Sequence, residues 1–303
     1  MLEILNKIHQ NMIQVLIFIL TIFGCWTFKL NNTSKVLESR IFQLWNRILV
    51  VFLTISLIFM VCSSFKIMIN RFRDTFPFLI AVNNIIFMSF IIFVYSFICF
   101  KTEKLKEILN EVLDLSCEHF EIESNLKLFS ILITFEAFLI QPWDLINSVI
   151  GCFRSSFTFF SENFFIHEVF VFIFPVRIFV LLSCMLLKFH SLLLQNVAEN
   201  DFKVEKLAKI LMLTKKICKL FSSIVFYDIF VEFVFLNGMC YGLFTIIIDR
   251  IRGLSDNLDG LEYIVYHLTI VVFNLYIIVN SCNNVKRKVS KAKVKNMNFK
   301  NSF

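Results

Sequence analysis

The sequence predicts an all-α polytopic membrane protein, and three properties of the chain support this prediction. Of its 303 residues, 58% are hydrophobic and only 17% are charged. A soluble domain typically has roughly 25% charged residues. The mean hydropathy is +0.76. Apolar runs recur along the chain, and a helix needs about 20 such residues to cross the hydrocarbon core of a bilayer. We therefore expect one transmembrane domain over residues 1–303 and no separate soluble domain.

Six apolar segments are long enough to be transmembrane helices. They are residues 44–65, 76–100, 126–150, 164–187, 220–248 and 261–281. A seventh segment, residues 12–28, is borderline in length. It could be a span, a helix lying along the membrane surface or a signal peptide, although its end, IFGCWTF, lacks a small-x-small cleavage site.

The distribution of Lys and Arg predicts the orientation of the chain. With six spans, the N-terminal segment, the loops after spans two and four, and the C-terminal tail carry 23 of the 30 basic residues. The other three loops carry six. Because cytoplasmic loops are enriched in Lys and Arg, both termini are predicted to be cytoplasmic, including a basic tail at 282–303. A seventh span at 12–28 would instead place the first 11 residues outside. We expect a multi-pass protein of the plasma membrane.

Two of the predicted cytoplasmic loops show helical periodicity. Apolar side chains recur at helical spacing in each of them: Leu105, Ile108, Leu109, Val112 and Leu113 in the first, and Leu207, Ile210, Leu211 and Ile217 in the second. These segments are either simple amphipathic loops or a packed cytoplasmic subdomain that continues the spans. In the first loop, the i,i+3 spacing predicts pairs of Glu103 with Lys106 and of Lys104 with Glu107.

The sequence contains none of the common enzyme motifs. It has no H-E-x-x-H, G-x-S-x-G or P-loop pattern, and its five histidines are widely separated. Its nine cysteines include no C-x-x-C pair, which argues against a zinc or redox site. We expect no enzymatic activity, no metal and no cofactor. The net charge of +7 is explained by membrane topology, so we expect no nucleic-acid partner.

Four ionisable residues lie within predicted spans, where charges are costly. Glu136 lies in the third span, Arg177 in the fourth, and Asp228 and Glu232 in the fifth, four residues apart on one helix face. One Arg cannot neutralise three acids, so at least one acid should face water, be protonated or pair elsewhere. The group predicts either a polar cavity or ion path, or a structural Arg–Glu pair between spans.

Polar and aromatic residues in the spans, most of them in the predicted outer halves, suggest a small-molecule pocket. Such pockets are usually apolar and aromatic with a few polar groups. The alternative is an interfacial belt of Trp and Tyr. Pro175, near the middle of the fourth span, should kink that helix. The candidate ligand-binding residues are Asn84, Gln141, Trp143, His167, Arg177, Tyr241, Tyr266 and His267.

Taken in order along the chain, several segments resemble the insect gustatory receptor family of chemoreceptors. They are LTIFGCWTF near the start, LLKFHSLLLQNV at the end of span four, the run from LTKKICKLF to GMCYGLF into span five, and YIIVNSCNNVKRKVSKAK at the end of span six. The predicted cytoplasmic N-terminus agrees with the same family. The resemblance covers essentially the whole chain.

The resemblance implies a chemosensory receptor subunit that binds a small-molecule tastant and transduces the signal as a ligand-gated cation channel. Its expected partners are the bilayer and other receptor subunits, in a homo- or hetero-tetramer. The family also has a seventh span with a Thr-Tyr and Gln-Phe pattern, which lines the pore. This sequence stops before it, at NMNFKNSF. We therefore expect a C-terminally truncated receptor whose own conduction is doubtful.

Two other functions are alternatives to a chemosensory receptor. A seven-span G-protein-coupled receptor needs an external N-terminus, and the last span, VVFNLYIIVN, lacks the proline common there. A small membrane transporter would favour helices broken by Gly and Pro, whereas this chain has six glycines and three prolines.

Overall fold

Five long helices dominate the computed structural model of the chain. The structure describes residues 14–15, 17–30, 35–70, 75–116, 146, 150, 162–199, 204–252 and 261–300. The helices are α1 (Arg40–Asn70), α2 (Thr75–Ser116), α3 (Glu162–Glu199), α4 (Val204–Ile251) and α5 (Leu261–Lys300).

Each of the five helices contains a stretch that is long and apolar enough to cross a membrane, which makes the chain a multi-pass helical membrane protein. These stretches are Arg40–Ser63, Ala81–Val112, Val171–Gln195, Leu207–Ile248 and Leu268–Lys291. They overlap five of the six predicted spans. The third predicted span, residues 126–150, lies outside the described residues apart from positions 146 and 150, which are helical.

Some of these helices are much longer than a bilayer is thick. At 1.5 Å per residue, the 48 residues of α4 extend for roughly 72 Å, against a hydrocarbon core of about 30 Å. The two predicted loop helices are therefore continuous with α2 and α4. Their apolar faces are packed, since Leu105, Ile108, Leu207, Ile210 and Ile217 are all buried. Of the two alternatives that the sequence left open, the structure therefore shows packed helices that continue the spans and not simple amphipathic loops.

The basic C-terminal segment is also part of a helix. The predicted span ends at residue 281, but α5 continues through the basic residues to Lys300. The first turns beyond the predicted span still contact the bundle, because Val285 is buried and Val289 packs against the core.

The helices pack as an interlocked bundle with α4 in contact with three others. α4 lies against α2, α3 and α5, while α3 lies against α5. α2 and α4 run antiparallel: Phe87 meets Phe235 at a ring separation of 5.1 Å, and the ammonium of Lys216 lies near Glu107 toward the other end. The basic residues near Glu107 in α2 and near Lys216 in α4 therefore lie at the same end of the bundle.

The N-terminal segment turns before it reaches Phe28 and is not one continuous helix over residues 12–28. Residues 17–22 are helical, Gly24 has a φ of 74°, and the chain then enters a strand. A positive φ favours glycine. Three side chains of the bundle hold this turn through its carbonyl oxygens: the indole of Trp45 donates to Ile22 at 2.8 Å, the amide of Asn46 to Gly24 at 2.8 Å, and the hydroxyl of Tyr95 to Phe23 at 2.6 Å.

A short β-hairpin, not predicted from the sequence, follows the turn. Strand β1 (Phe28–Leu30) pairs antiparallel with β2 (Val36–Glu38), with Leu30 opposite Val36. Two hydrogen bonds connect the hairpin to α2: the Asn110 side chain accepts from the Val36 amide at 2.8 Å and donates to the Val36 carbonyl at 3.2 Å. Asn110 thus completes a backbone-like pairing at the free edge of β2.

Candidate functional site

A polar cluster lies between α3, α4 and α5, in the apolar part of each helix. The guanidinium of Arg177 in α3 donates to Glu232 in α4 at 3.0 Å. The amide of Asn274 in α5 donates to the same carboxylate oxygen at 3.4 Å. Three consecutive helices therefore meet at one carboxylate, through residues 55 and 42 positions apart in the sequence. We call Arg177, Asp228, Glu232 and Asn274 the central cluster.

The residues of the central cluster are almost entirely withdrawn from solvent. The side chain of Arg177 is 12% exposed and that of Glu232 is 2% exposed. Buried charges require a partner, because transfer of an isolated charge out of water costs far more than one hydrogen bond returns. The Arg–Glu pair between spans, one of the two alternatives that the sequence left open, is present in the structure.

The second acid of the cluster lies one turn away on the same helix. Asp228 is buried and precedes Glu232 by four residues in α4, as the spacing predicted. It is close enough to Cys184 of α3 for an electrostatic interaction between the two side chains. Among the four members of the cluster there are thus two carboxyl groups and one guanidinium.

Two oxygens of the cluster are buried acceptors without a donor among the described residues. They are Oε2 of Glu232 and Oδ1 of Asn274. Buried polar atoms are hydrogen-bonded in most proteins, so an orphaned acceptor is a position where a proton, a water molecule or a donor group on a ligand would be stabilised. The cluster is therefore chemically suited to hold a hydrogen-bond donor in addition to its own pairs.

The guanidinium of the cluster comes from a turn of α3 that contains a proline. Arg177 follows Pro175 by two residues within the helix. Proline has no amide hydrogen, so the helical hydrogen bond to the carbonyl one turn earlier cannot form. Helix α3 nevertheless continues on both sides of Pro175, and the residues just after it, Val176 and Ile178, are fully buried. Arg177 is thus the one charged group in an otherwise apolar turn.

Of the predicted ligand-binding residues, Arg177 belongs to the central cluster. Asn84 is half-buried in α2, and Tyr241 is 39% exposed in α4. His167 lies in α3, and Tyr266 and His267 lie in α5. Two further ligand-binding candidates, Gln141 and Trp143, lie outside the described residues, as does Glu136, the charge predicted in the third span. The proposed outer pocket therefore stays a prediction.

A close helix contact lies near the predicted pocket. A Cβ atom at Gly238 of α4 would stand 2.5 Å from Nδ2 of Asn83 in α2, nearer than real Cβ atoms approach other groups. The absence of a side chain at Gly238 lets the amide of Asn83 pack directly on the α4 backbone. A side chain at position 238 would therefore have to displace the Asn83 amide.

A second polar group holds the hairpin to the far end of α2. Glu38 pairs with the ammonium of Lys106 and accepts from the amide of Gln43 at 2.9 Å. These hydrogen bonds to its charged form hold the pKa of the Glu38 carboxyl below its ordinary value of 4.5. Ion pairs of this partly exposed kind contribute little to stability on their own, on the order of 1 kcal/mol or less. Their role is to fix the position of the hairpin.

The charged residues of the first loop form ion pairs with other elements. Lys106 pairs with Glu38 of β2, and Glu103, its predicted partner, lies close enough to interact with it electrostatically. Glu107 and Glu111 both accept from Lys216 of α4, at 3.4 and 2.6 Å. Local spacing predicted that these charges are on the surface of one helix but could not show that β2 and α4 lie beside it.

Asn274 is the member of the central cluster that sequence reasoning missed. It stands in the apolar run VVFNLYIIVN, where a polar side chain is itself a signal of an internal contact.

No protein-family model matches the chain, and a search of curated proteins finds none that matches it.

Proposed function

We propose that this chain is a chemosensory receptor subunit of the gustatory type, which binds a small-molecule tastant in the plasma membrane. The observation that carries the proposal is the central cluster. Charged and amide side chains buried at membrane depth between three helices are uncommon, and they mark functional positions by default. The segment-by-segment resemblance to the gustatory receptor family supports the choice of a receptor among the possible functions.

The bundle geometry supports a signalling role for this cluster. Glu232 is contacted from both sides, by Arg177 of α3 and by Asn274 of α5. A ligand that supplies a donor to the orphaned acceptors would add a contact to the cluster beside these two. A ligand that binds one position of α4 more tightly than another would move α4 toward that position, because a ligand shifts a conformational equilibrium by its different affinity for the two states. In the proposed assembly, such a movement gates a cation pathway formed with other subunits of a tetramer.

The turn at Gly24 supports a six-span arrangement with a cytoplasmic N-terminus. The seven-span alternative of a G-protein-coupled receptor requires residues 12–28 to cross the membrane. The described part of that segment turns at Gly24 and is in a strand by Phe28. The hairpin also contacts the basic end of α2 through Lys106. The positive-inside rule places that end in the cytoplasm.

A transporter is the second candidate, and the same cluster favours it. Ionisable groups within transmembrane helices also serve as proton or ion relays. The two proposals differ in what Arg177 and Glu232 do. In a transporter, coupling of substrate movement to an ion requires their charges. In a receptor, neutral substitutions alter folding or gating but leave no vectorial substrate uptake to abolish.

The proposal is tested by measuring binding and uptake of sugars and bitter compounds in proteoliposomes that contain the purified chain. A receptor subunit is expected to bind at least one of them, measured as an increase in thermal stability, without accumulating the radiolabelled compound inside the vesicle. The matched controls are Asp228→Asn, within the cluster, and Glu103→Gln, on the exposed face of α2. Uptake driven by an ion gradient and lost in Asp228→Asn would favour the transporter. No binding across the panel would contradict both.

Orientation is tested separately with an epitope at Met1 in intact cells. The proposed subunit is expected to show the epitope only after permeabilisation. Labelling of unpermeabilised cells would overturn the cytoplasmic N-terminus and, with it, the receptor type proposed.

A further inference from the structure

A buried carboxyl group near the beginning of α3 takes no part in the central cluster. Glu168 is only 3% exposed. Neither of its carboxyl oxygens has a hydrogen-bond donor among the described residues. Burial of an isolated carboxylate costs far more than burial of the same group as a neutral acid. The surroundings of Glu168 therefore decide whether this carboxyl carries a charge.

The neighbour of Glu168 on α1 is a serine. The Ser56 hydroxyl lies beside the carboxyl, and Ser56 is itself only 6% exposed. Ring contacts support the same pairing of positions. Phe52, one turn before Ser56, has its ring centroid 6.4 Å from that of Phe172, one turn after Glu168. Antiparallel packing of α1 and α3 produces this order, so Ser56 and Glu168 meet where the two helices are in contact.

The directions of the helices agree with this pairing. Helices α2 and α3 are both antiparallel to α4, since beyond the central cluster Phe179 of α3 meets Phe221 of α4 at 6.2 Å. Helix α1 begins next to the hairpin at the basic end of α2, and it then passes the N-terminal turn that Tyr95 of α2 also contacts. It therefore runs opposite to α2 and α3. Helix α5 runs with α3, since its Cys282 lies near Cys184.

The described residues around Glu168 supply no positive charge. The ring of Phe172 lies 6.3 Å from that of Tyr95 of α2, and Cys25 of the N-terminal turn adjoins Tyr95. On α4 and α5, the residues nine positions from the cluster toward this end are Tyr241 and Val265. Tyrosine and cysteine side chains are ordinarily neutral at pH 7. Among the described residues, the group beside the carboxyl is therefore the Ser56 hydroxyl and not a cation.

Glu168 lies toward the end of the bundle opposite the basic one. It precedes Arg177 in α3 by nine residues, or about 14 Å along the helix axis. Half of the hydrocarbon core is about 15 Å. With the central cluster near the midplane and the basic ends in the cytoplasm, Glu168 is at the outer edge of the hydrocarbon. In this orientation, protons reach it from the outer side of the membrane.

We propose that Glu168 is a proton-binding site, held in the folded protein as a neutral acid that donates to the Ser56 hydroxyl, and that loss of this proton loosens α1 from α3. A proton is the cation that an enclosed carboxyl binds without needing a cavity. The carboxylate left after its release would draw in water or move outward, because burial of an unpaired charge is costly. Since α3 also carries Arg177, external acidity would act on a helix of the central cluster.

The test is SDS unfolding of the purified full chain between about pH 5.5 and pH 8.5, above the ordinary glutamate pKa of about 4.3. In this range unfolded Glu168 has lost its proton and folded Glu168 keeps it, so stability falls as the pH rises. For one proton, the ratio of folded to unfolded protein falls by up to about tenfold per pH unit. Glu168→Gln has the shape of the neutral acid and no proton to lose. It should remove this decline and be more stable than the unmodified chain at the highest pH.

The matched control is Glu103→Gln, at an exposed position of α2, which should keep the pH dependence of the unmodified chain. Hydrogen exchange of the α1 amides around Ser56 locates the effect: a rise in pH should loosen them more in the unmodified chain than in E168Q. Equal pH dependence of stability in these two proteins would overturn the proposal. So would an E168Q chain that is less stable at pH 8.5 or fails to fold, because the charged carboxylate would then be the form that holds the helices. The test uses no tastant, so its outcome is separate from that of the binding assay.

Discussion

Removal of the Arg177 guanidinium should be the most damaging single substitution in the central cluster. In Arg177→Met, Glu232 keeps the amide of Asn274 at 3.4 Å but loses its charged partner at 3.0 Å. With its carboxylate only 2% exposed, solvent cannot replace that partner. Loss of one member of a buried pair costs roughly 3–5 kcal/mol. The ratio of folded to unfolded protein should therefore fall at least about 100-fold.

Equilibrium unfolding in SDS, followed by far-UV circular dichroism, measures this free energy. The double variant R177M/E232L removes both charges and fills the space with apolar atoms, so it should recover most of the loss. Lys209→Met, at an exposed position of α4, is the matched control and should change stability by about 0.5 kcal/mol or less. If R177M unfolds at the same SDS fraction as the unmodified protein, the pair does not hold α3 to α4 and the reasoning is wrong.

Three further predictions concern the turn, the helix contact and the hairpin. Gly24→Ala should destabilise the protein by about 1–2 kcal/mol in SDS unfolding because its φ is 74°; an unchanged midpoint would refute the strained turn. Gly238→Ala should also destabilise it, because the added Cβ would displace the Asn83 amide, and N83A/G238A should recover more of that loss than the separate effect of Asn83→Ala supplies. Since the pKa of Glu38 lies lower in the folded protein than unfolded, the hairpin should be fully stabilised above pH 4.5 and should loosen as the pH falls through the folded pKa. Hydrogen exchange of the hairpin amides measures this, and Lys106→Met should flatten the pH dependence; an equal dependence in both proteins would exclude the ion pair as its cause.

Local hydropathy was enough to locate most helices of the described part. The five described spans were predicted because each apolar segment contains its own signal, which does not depend on any other part of the chain. The helical periodicity of the predicted loops around Leu105 and Leu207 likewise indicated helices. The side chains of these two leucines are buried in the structure. The borders were less predictable, since α5 continues to Lys300 where a tail was expected. Side-chain hydrogen bonds from Trp45, Asn46 and Tyr95 hold the N-terminal turn, and no local pattern reports them.

The hydropathy of single segments is sufficient to predict a helical membrane protein with charged groups inside its spans. It identified Arg177, Asp228 and Glu232 because a charge in an apolar run stands out without any knowledge of its surroundings. The pairing of Arg177 with Glu232, the contact of Asn274 with the same carboxylate and the pairing of Lys106 with the hairpin are visible only in the folded bundle. The free energy of transferring a helix to the membrane sums over its own residues. The choice of partners depends on the depth and rotation of every helix, which the packing of the whole bundle sets.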